Sequence, residues 1–455
     1  MRWGGHPSEH GWERLDNASN IFLAARNSVD SKVFRLSADL NTDVDAVLLQ
    51  QALDTTFQRY PLYSSVVRKG LFWYHLQSSE LRPRVEPDAL PVCAALYKPD
   101  QPGLLFRVVH FRHRVSLEVF HALSDGTGAL WFFQDLLDEY AALLDPTAGA
   151  QPGPESRRPE LHSLSRDSFS HYFRRQKRRE RSSERKADTE VQATSSVLAT
   201  SRRGARVHRV KGTYTPDLRT HLVELTLPAA EVLQLARAEG VSLTMYLVAV
   251  FFDSVRSAAG GTTGLGAART LAVSVPVNLR ALFPSTSARN FFAAVTLQHT
   301  YGQGPDDVGS VARGLEAQFR PQITPEALEI KMRRFARFER MLGLRIVPRA
   351  IKDVVLSAIN RVNNRGITVA ISNLGRVTLP AGAEERVKSM SLSVSAIRPQ
   401  LSVMSHAGYL TLSFTSPFVE VPHVREAARF FREQDVAVRV AATAVTENDL
   451  GGVQR

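Results

Sequence analysis

A single cysteine, Cys93, stands among 455 residues, so neither an intrachain disulfide nor a multi-cysteine zinc site can form. That usage agrees with a reducing compartment. Long apolar runs are missing too: Met245 to Phe252 stops at Asp253, well short of the roughly 20 residues a membrane helix needs, and no membrane span is expected. The N-terminus, MRWGGHPSEHGWERLDN, mixes both signs of charge without an apolar stretch, so no signal peptide is legible and the expected compartment is the cytoplasm. There is no internal repeat and no low-complexity array.

What is present is an ordinary globular balance, 44% hydrophobic against 22% charged, in a chain long enough for two to three domains at roughly 150 residues each. The formal charge is +12, which raises the question of an anionic partner. Its location answers most of it. Residues 157–212 hold 16 Lys/Arg against 6 Asp/Glu, leaving 41 against 39 in the other 399. The body of the chain is nearly neutral.

That basic stretch lies in a Pro-rich, apolar-poor segment, Asp145 to Lys211, read as a linker between two halves. Phe169, Tyr172 and Phe173 suggest a short basic helix within it, around Asp167 to Arg181; a solvated charge run is the plainer alternative. Before the linker, Val44, Val47, Leu48, Ala52, Leu53 and Phe57 mark an amphipathic helix over Asp43 to Tyr60. Leu104 to Phe111 and Val115 to His121 read as strands joined by a tight turn, followed by a helix from Gly128 to Leu144. After the linker, strands are expected at Leu222–Leu227, Leu271–Val277, Phe292–Thr300, Thr368–Ser372, Lys388–Ile397 and Tyr409–Thr415. Helices are expected at Ala229–Glu239, Leu243–Arg256, Pro325–Leu342 and Ile351–Asn360. The fold class is therefore α/β, in two lobes with mixed sheets flanked by helices. The expected divisions are 1–155, a linker at 156–212, and 213–455, with function in the cleft between lobes.

Val115 to Tyr140, VSLEVFHALSDGTGALWFFQDLLDEY, carries the most chemistry. Strand alternation puts His121 on the face of Leu117 and Val119, toward buried space, where desolvation keeps an imidazole neutral and able to act as a general base. Asp125 stands at the entry to the next helix, placed to cap it or to meet a cation, and Gly126 and Gly128 allow close approach of backbone. On HxxxDG alone, a core histidine and a plain helix cap explain the pattern equally well.

The surrounding blocks tip the balance. With HALSDG as its motif, the sequence resembles the chloramphenicol acetyltransferase-like superfamily, which includes condensation domains, wax ester synthases, polyketide-associated acyltransferases and alcohol acetyltransferases. Bacterial alcohol acetyltransferase-type proteins are the nearest likeness. LDNASNIF, QALDTTFQRYP, GLFWYHL, PVNLRALFPSTSARNFF and ISNLGRV look like that group's blocks, in the right order. The resemblance implies a two-lobed fold with an active-site tunnel between the lobes. It makes His121 the catalytic base and Asp125, with Gly126, a motif residue paired to an arginine. Arg280 of PVNLR matches that arginine, and Asn278 in the same block is a substrate or structural position. An exposed loop arginine is the alternative for Arg280.

The sequence departs from relatives in three places. Phe120 stands where condensation domains carry a first histidine, which argues against peptide-bond formation. The DFGWG block of plant acyltransferases is absent, with ISNLG in a comparable place. Residues 182–207 look like an insertion. Weaker signals fall away: His110 and His113 point to opposite strand faces, GGTTGLG lacks the lysine of a P-loop, and Ser124 and Ser254 have no nucleophile elbow.

The resulting expectation is a metal-free acyltransferase. It would move an acetyl, short or medium acyl group from acyl-coenzyme A, or from the phosphopantetheine thioester of an acyl carrier protein, to an alcohol or amine. The helix start at Gly126 to Gly128 and the pair Ser372 and Asn373 are the candidate oxyanion donors. An acidic carrier protein suits the basic linker as a partner. The alternative is a non-catalytic binding module using the linker to hold nucleic acid or an anionic partner.

Overall fold

The computed structural model describes residues 12–15, 17–145, 206–283, 285–340 and 347–443. The basic helix expected near Asp167 and the insertion at 182–207 lie outside them. Strands of the first half are β1 (Trp12–Arg14), β2 (Val33–Leu40), β3 (Ser65–Lys69), β4 (Tyr74–Ser78), β5 (Val85–Pro87), β6 (Phe106–Phe111) and β7 (Arg114–Phe120). Those of the second are β8 (His221–Pro228), β9 (Thr270–Asn278), β10 (Phe292–Thr300), β11 (Val369–Arg376), β12 (Val387–Val394), β13 (Gln400–His406), β14 (Tyr409–Ser416) and β15 (Arg439–Ala442).

They form three sheets, ordered β1-β4-β3, β12-β2-β7-β6-β5 and β10-β9-β11-β13-β14-β8-β15. Both large sheets are mixed: β5 runs parallel to β6, and β11 parallel to β9 and β13, while the other pairings are antiparallel. Each supports its own apolar core. The fold class read from the sequence is the one observed.

In the first lobe, helices α1 (Asn17–Ala25), α2 (Ala46–Arg59) and α3 (Gly126–Leu144) join the core of the five-stranded sheet. Helix α2 begins where the Asp45 carboxylate accepts from Val47 and Leu48 N–H at 2.8 and 3.0 Å, satisfying orphan donors of the first turn. It stops at Pro61, because the residue before a proline is pushed out of helical geometry. Its Leu49, Ala52, Leu53 and Phe57 bury the inner face. Helix α3 turns Ala129, Phe132, Phe133, Leu136, Leu137 and Tyr140 inward, each large side chain gaining roughly 1.5–3 kcal/mol from burial.

The halves of the chain do not map one-to-one onto the sheets. Strand β12 pairs with β2, Leu392 opposite Leu36, and so completes the first sheet from the second half. Side-chain ties reinforce this exchange: Arg114 reaches Asp39 at 2.7 Å and Glu224 at 3.1 Å, and Ser389 donates to Asp39 at 2.9 Å.

Several boundaries move for identifiable reasons. Helix α3 starts at Gly126 rather than Gly128 because Asp125 is its cap. Strand β11 runs on past Ser372 through a bulge between Asn373 and Gly375, and Gly375 takes φ +77. GGTTGLG forms a single helical turn, Gly261–Gly264. His113 lies in the β6–β7 turn instead of on a strand. Among the described residues no single helix is long and apolar enough to cross a membrane.

Candidate active site

His121 follows the last residue of β7, at the end of the sheet where β2 begins. Its backbone N–H donates to the Lys32 carbonyl at 2.8 Å, tying it to β2. The ring is stacked on Phe22 of α1, centroids 4.2 Å apart and planes 18° apart, with Phe34 and Phe292 on other sides. Burial in this aromatic box is the largest influence on the imidazole and lowers its pKa, against the opposing pull of the Asp125 charge.

A chain of hydrogen bonds fixes which ring nitrogen of His121 carries the proton. Ser19 gives its proton to the Ala122 carbonyl at 2.8 Å, so its oxygen accepts from Asn290 Nδ2 at 3.1 Å. The Asn290 amide also donates to the His121 carbonyl at 2.7 Å. With Nδ2 so engaged, it is Asn290 Oδ1 that stands 3.2 Å from His121 Nδ1, and an acceptor there demands an N–H on Nδ1. Nε2 then carries the lone pair. Asn290 thus holds the His121 ring, and sequence reading missed it; it lies inside the block PVNLRALFPSTSARNFF, yet nothing in one sequence singles out that amide.

Asp125 has three donors. Oδ1 accepts from Gly128 N–H at 2.9 Å, while Oδ2 accepts from Arg280 Nη1 at 2.7 Å and from Phe291 N–H at 2.8 Å. Arg280 spreads its remaining donors over the Ser287 carbonyl at 2.8 Å and the Arg289 carbonyl at 2.6 Å, and lies 5.4 Å over the Trp131 ring. Both side chains are only 7% exposed. Arg280 is therefore a buried partner, not a loop cation. The pair sets the 287–291 loop of the second half against the start of α3 in the first.

The glycines permit this contact. A Cβ on Gly128 would lie 2.1 Å from the Ala288 carbonyl oxygen, which Ser124 also holds at 2.5 Å. A Cβ on Gly126 would meet the Leu374 side chain at 2.9 Å, so β11 comes close to the helix start. Asn278 bridges the same junction, accepting from Arg280 N–H at 3.0 Å and donating to Thr127 at 3.2 Å. Ser372 sits half-buried on β11. Asn373 is engaged locally, donating to Thr244 at 2.9 Å and accepting from Gly375 N–H at 2.7 Å. Its amide is committed to the bulge.

The geometry brings together His121, Asp125, Gly126, Asn278 and Arg280, and adds Asn290, Ser19 and Phe22. Among the described residues no group of three His, Cys, Asp or Glu side chains is placed to hold a metal ion. Substituting Asn290→Asp puts a carboxylate beside Nδ1 and should raise the His121 pKa. Asn290→Ala should lower it, since the bond that favours the charged ring is lost. NMR titration of the His121 ring in the wild type and both variants measures this; an unchanged pKa in both would remove Asn290 as its partner.

No family model matches this sequence, and no curated protein matches it. Solved structures do match along most of its length. The trichothecene 15-O-acetyltransferase from Fusarium sporotrichioides aligns with a TM-score of 0.58 at 12% identity, over 95% of this chain and 96% of its own. Another F. sporotrichioides protein, solved with coenzyme A and T-2, gives 0.57 at 10%, over 94% and 99%. The first condensation domain of the calcium-dependent antibiotic synthetase gives 0.54 at 16%, over 93% and 96%. The chain has the two-lobed fold of these condensation and acyltransferase structures.

Proposed function

We propose that this chain, built on the two-lobed fold of acetyltransferases and condensation domains, is an acyltransferase that uses a thioester donor and His121 as its base. The observation that carries the reading is the Asn290 amide fixing His121 Nδ1 as donor, which leaves Nε2 unprotonated in an apolar enclosure. In the reaction, Nε2 takes the proton of an alcohol or amine as that group attacks the thioester carbonyl carbon. The carbonyl electrons move onto oxygen. Collapse of this tetrahedral species breaks the carbon–sulfur bond, and the imidazolium returns the proton to the thiolate.

Acyl-coenzyme A fits as donor, by likeness to the coenzyme A-bound structure; a carrier-protein phosphopantetheine thioester presents the same reacting group. Thioester chemistry needs no covalent enzyme intermediate, so the buried thiol of Cys93, its pKa pushed up by burial, has no role. For the oxyanion, Gly126 and Thr127 N–H at the α3 start are the favoured donors, since neither has an acceptor within the helix and Gly128 N–H is already taken by Asp125. Asn373 is the weaker candidate, given its bonds to Thr244 and Gly375.

The test is release of free thiol from acetyl-, butyryl- and octanoyl-coenzyme A with alcohol and amine acceptors. Release that depends on acceptor and is matched by an acylated product supports the reading. Acceptor-independent hydrolysis alone, or no turnover with either coenzyme A or carrier-bound thioesters, would overturn it.

A further inference from the structure

The helix Arg349–Arg365 is mounted with its apolar stripe outward. Its exposed residues are Ala350, Ile351, Val354, Val355, Ala358, Arg361, Val362 and Arg365, which at 100° per residue fall on one face. Val354 is 69% exposed. Polar side chains of the same helix are turned to the protein instead: Asp353 accepts from the Tyr74 hydroxyl at 2.9 Å, and Lys352 Nζ lies 3.5 Å over the Trp73 ring and donates to the Phe72 carbonyl at 3.0 Å. A core-facing surface helix has the opposite arrangement.

The β3–β4 hairpin continues the patch. Its tip carries Leu71, 73% exposed, and the exposed Phe72, and the Leu71 carbonyl accepts from Arg349 N–H at 3.0 Å, so the tip adjoins the helix start. Contiguous apolar surface of this kind marks a docking face.

Charge selects the occupant. Residues 325–365 contain 10 Lys/Arg against 4 Asp/Glu; outside them and outside 157–212, the chain has 31 against 35. Positive charge is thus enriched in this part of the sequence, and Arg361 and Arg365 stand exposed on the apolar face itself. Aliphatic side chains flanked by Arg361 and Arg365, with a Leu-Phe hairpin tip beside them, match the acyl–headgroup boundary of an anionic bilayer, where the apolar stripe enters and the guanidinium groups stay at phosphate level.

We infer that the face formed by the helix Arg349–Arg365 and the Leu71–Phe72 hairpin tip docks the protein on an anionic lipid surface. It lies one helix away from the base, because the helix Arg349–Arg365 packs on α1, which carries Ser19 and Phe22 of the site. The docking is a binding property and stands apart from the acyl-transfer reading.

Flotation of the full chain with phosphatidylcholine vesicles, with and without phosphatidylglycerol, tests it. The expected result is binding only to the phosphatidylglycerol vesicles, weakened about tenfold or more by the double variant Val354→Asp/Val355→Asp, since two valines no longer leave water. An unchanged melting temperature shows that the double variant is folded; Leu71→Asp, on a separate element, is expected to weaken binding as well. Wild-type binding by the double variant and by Leu71→Asp would mean that the basic 157–212 stretch does the work, and would overturn the inference. So would failure of the wild type to bind either vesicle, or a stable dimer that Val354→Asp/Val355→Asp dissolves while vesicles bind nothing, which would make the face an interface between copies.

Discussion

His121→Ala leaves a folded protein whose transfer rate is lower by about 100- to 10,000-fold, the usual contribution of a positioned base. Folding survives because the anchors of this position are backbone groups: the N–H on Lys32 and the carbonyl on Asn290 remain. What is lost is the lone pair on Nε2. The same histidine should then set the pH profile. Burial holds its pKa below the ordinary 6.5, so the acidic limb of kcat/KM for the wild type should be centred below pH 6.5, with the rate lost as pH falls through the folded-state pKa. Initial rates across pH 5 to 8 for both proteins check this. An active His121→Ala, or an acidic limb centred above 6.5, removes the histidine from the mechanism.

Asp125→Ala and Arg280→Ala fail differently, by losing the fold's junction. Breaking a buried, hydrogen-bonded pair by removing one member costs roughly 3 to 5 kcal/mol, because the survivor keeps its charge without its partner. Here the loss of Asp125 strands Arg280 Nη1, Phe291 N–H and Gly128 N–H together. Arg280→Lys should rescue little, since one ammonium cannot reproduce the fork that meets Asp125, Ser287 and Arg289. Chemical denaturation of both single variants and the double variant gives the measurement. The double should cost clearly less than the sum of the two. Additive losses, or a normally stable Asp125→Ala that is merely inactive, would contradict a structural role.

The parts of this architecture that were legible in the sequence are those with local signatures. The α2 and α3 stripes, the β6–β7 hairpin and HALSDG combine short-range periodicity with a compact motif, and the match of Arg280 to Asp125 came from resemblance, spanning 155 positions that no periodicity connects. Strand β2 went unread because Arg35, a charged residue, lies in its buried run, neutralised there by Glu118 and Asp88. Strand β13 interleaves serines and a histidine with its apolar residues; only the structure shows Ser402 and His406 enclosed. The helix Pro422–Glu433 places His423, Val424, Ala427 and Phe431 at helical spacing, a signal present but diluted by five charged residues in the same stretch. Within the site, Asn290 and Ser19 were invisible because their contacts depend on three segments meeting at His121 and Ala122.

Strand β12 gives the chain a problem of timing during its synthesis. β2 is almost wholly interior, and one of its two edges is satisfied only by β12. On a ribosome adding about 5–20 residues per second, β12 follows the end of α3 by about 250 residues, or on the order of 10–50 s. Through that interval the first lobe has an open apolar edge able to pair with a neighbouring nascent chain. Contacts as distant as Ser389 with Asp39, 350 positions apart, also close last and slow the final step. A polysome translating this message therefore holds several unfinished first sheets side by side, and yield should depend on holdase capacity and elongation rate more than on the stability of the finished molecule.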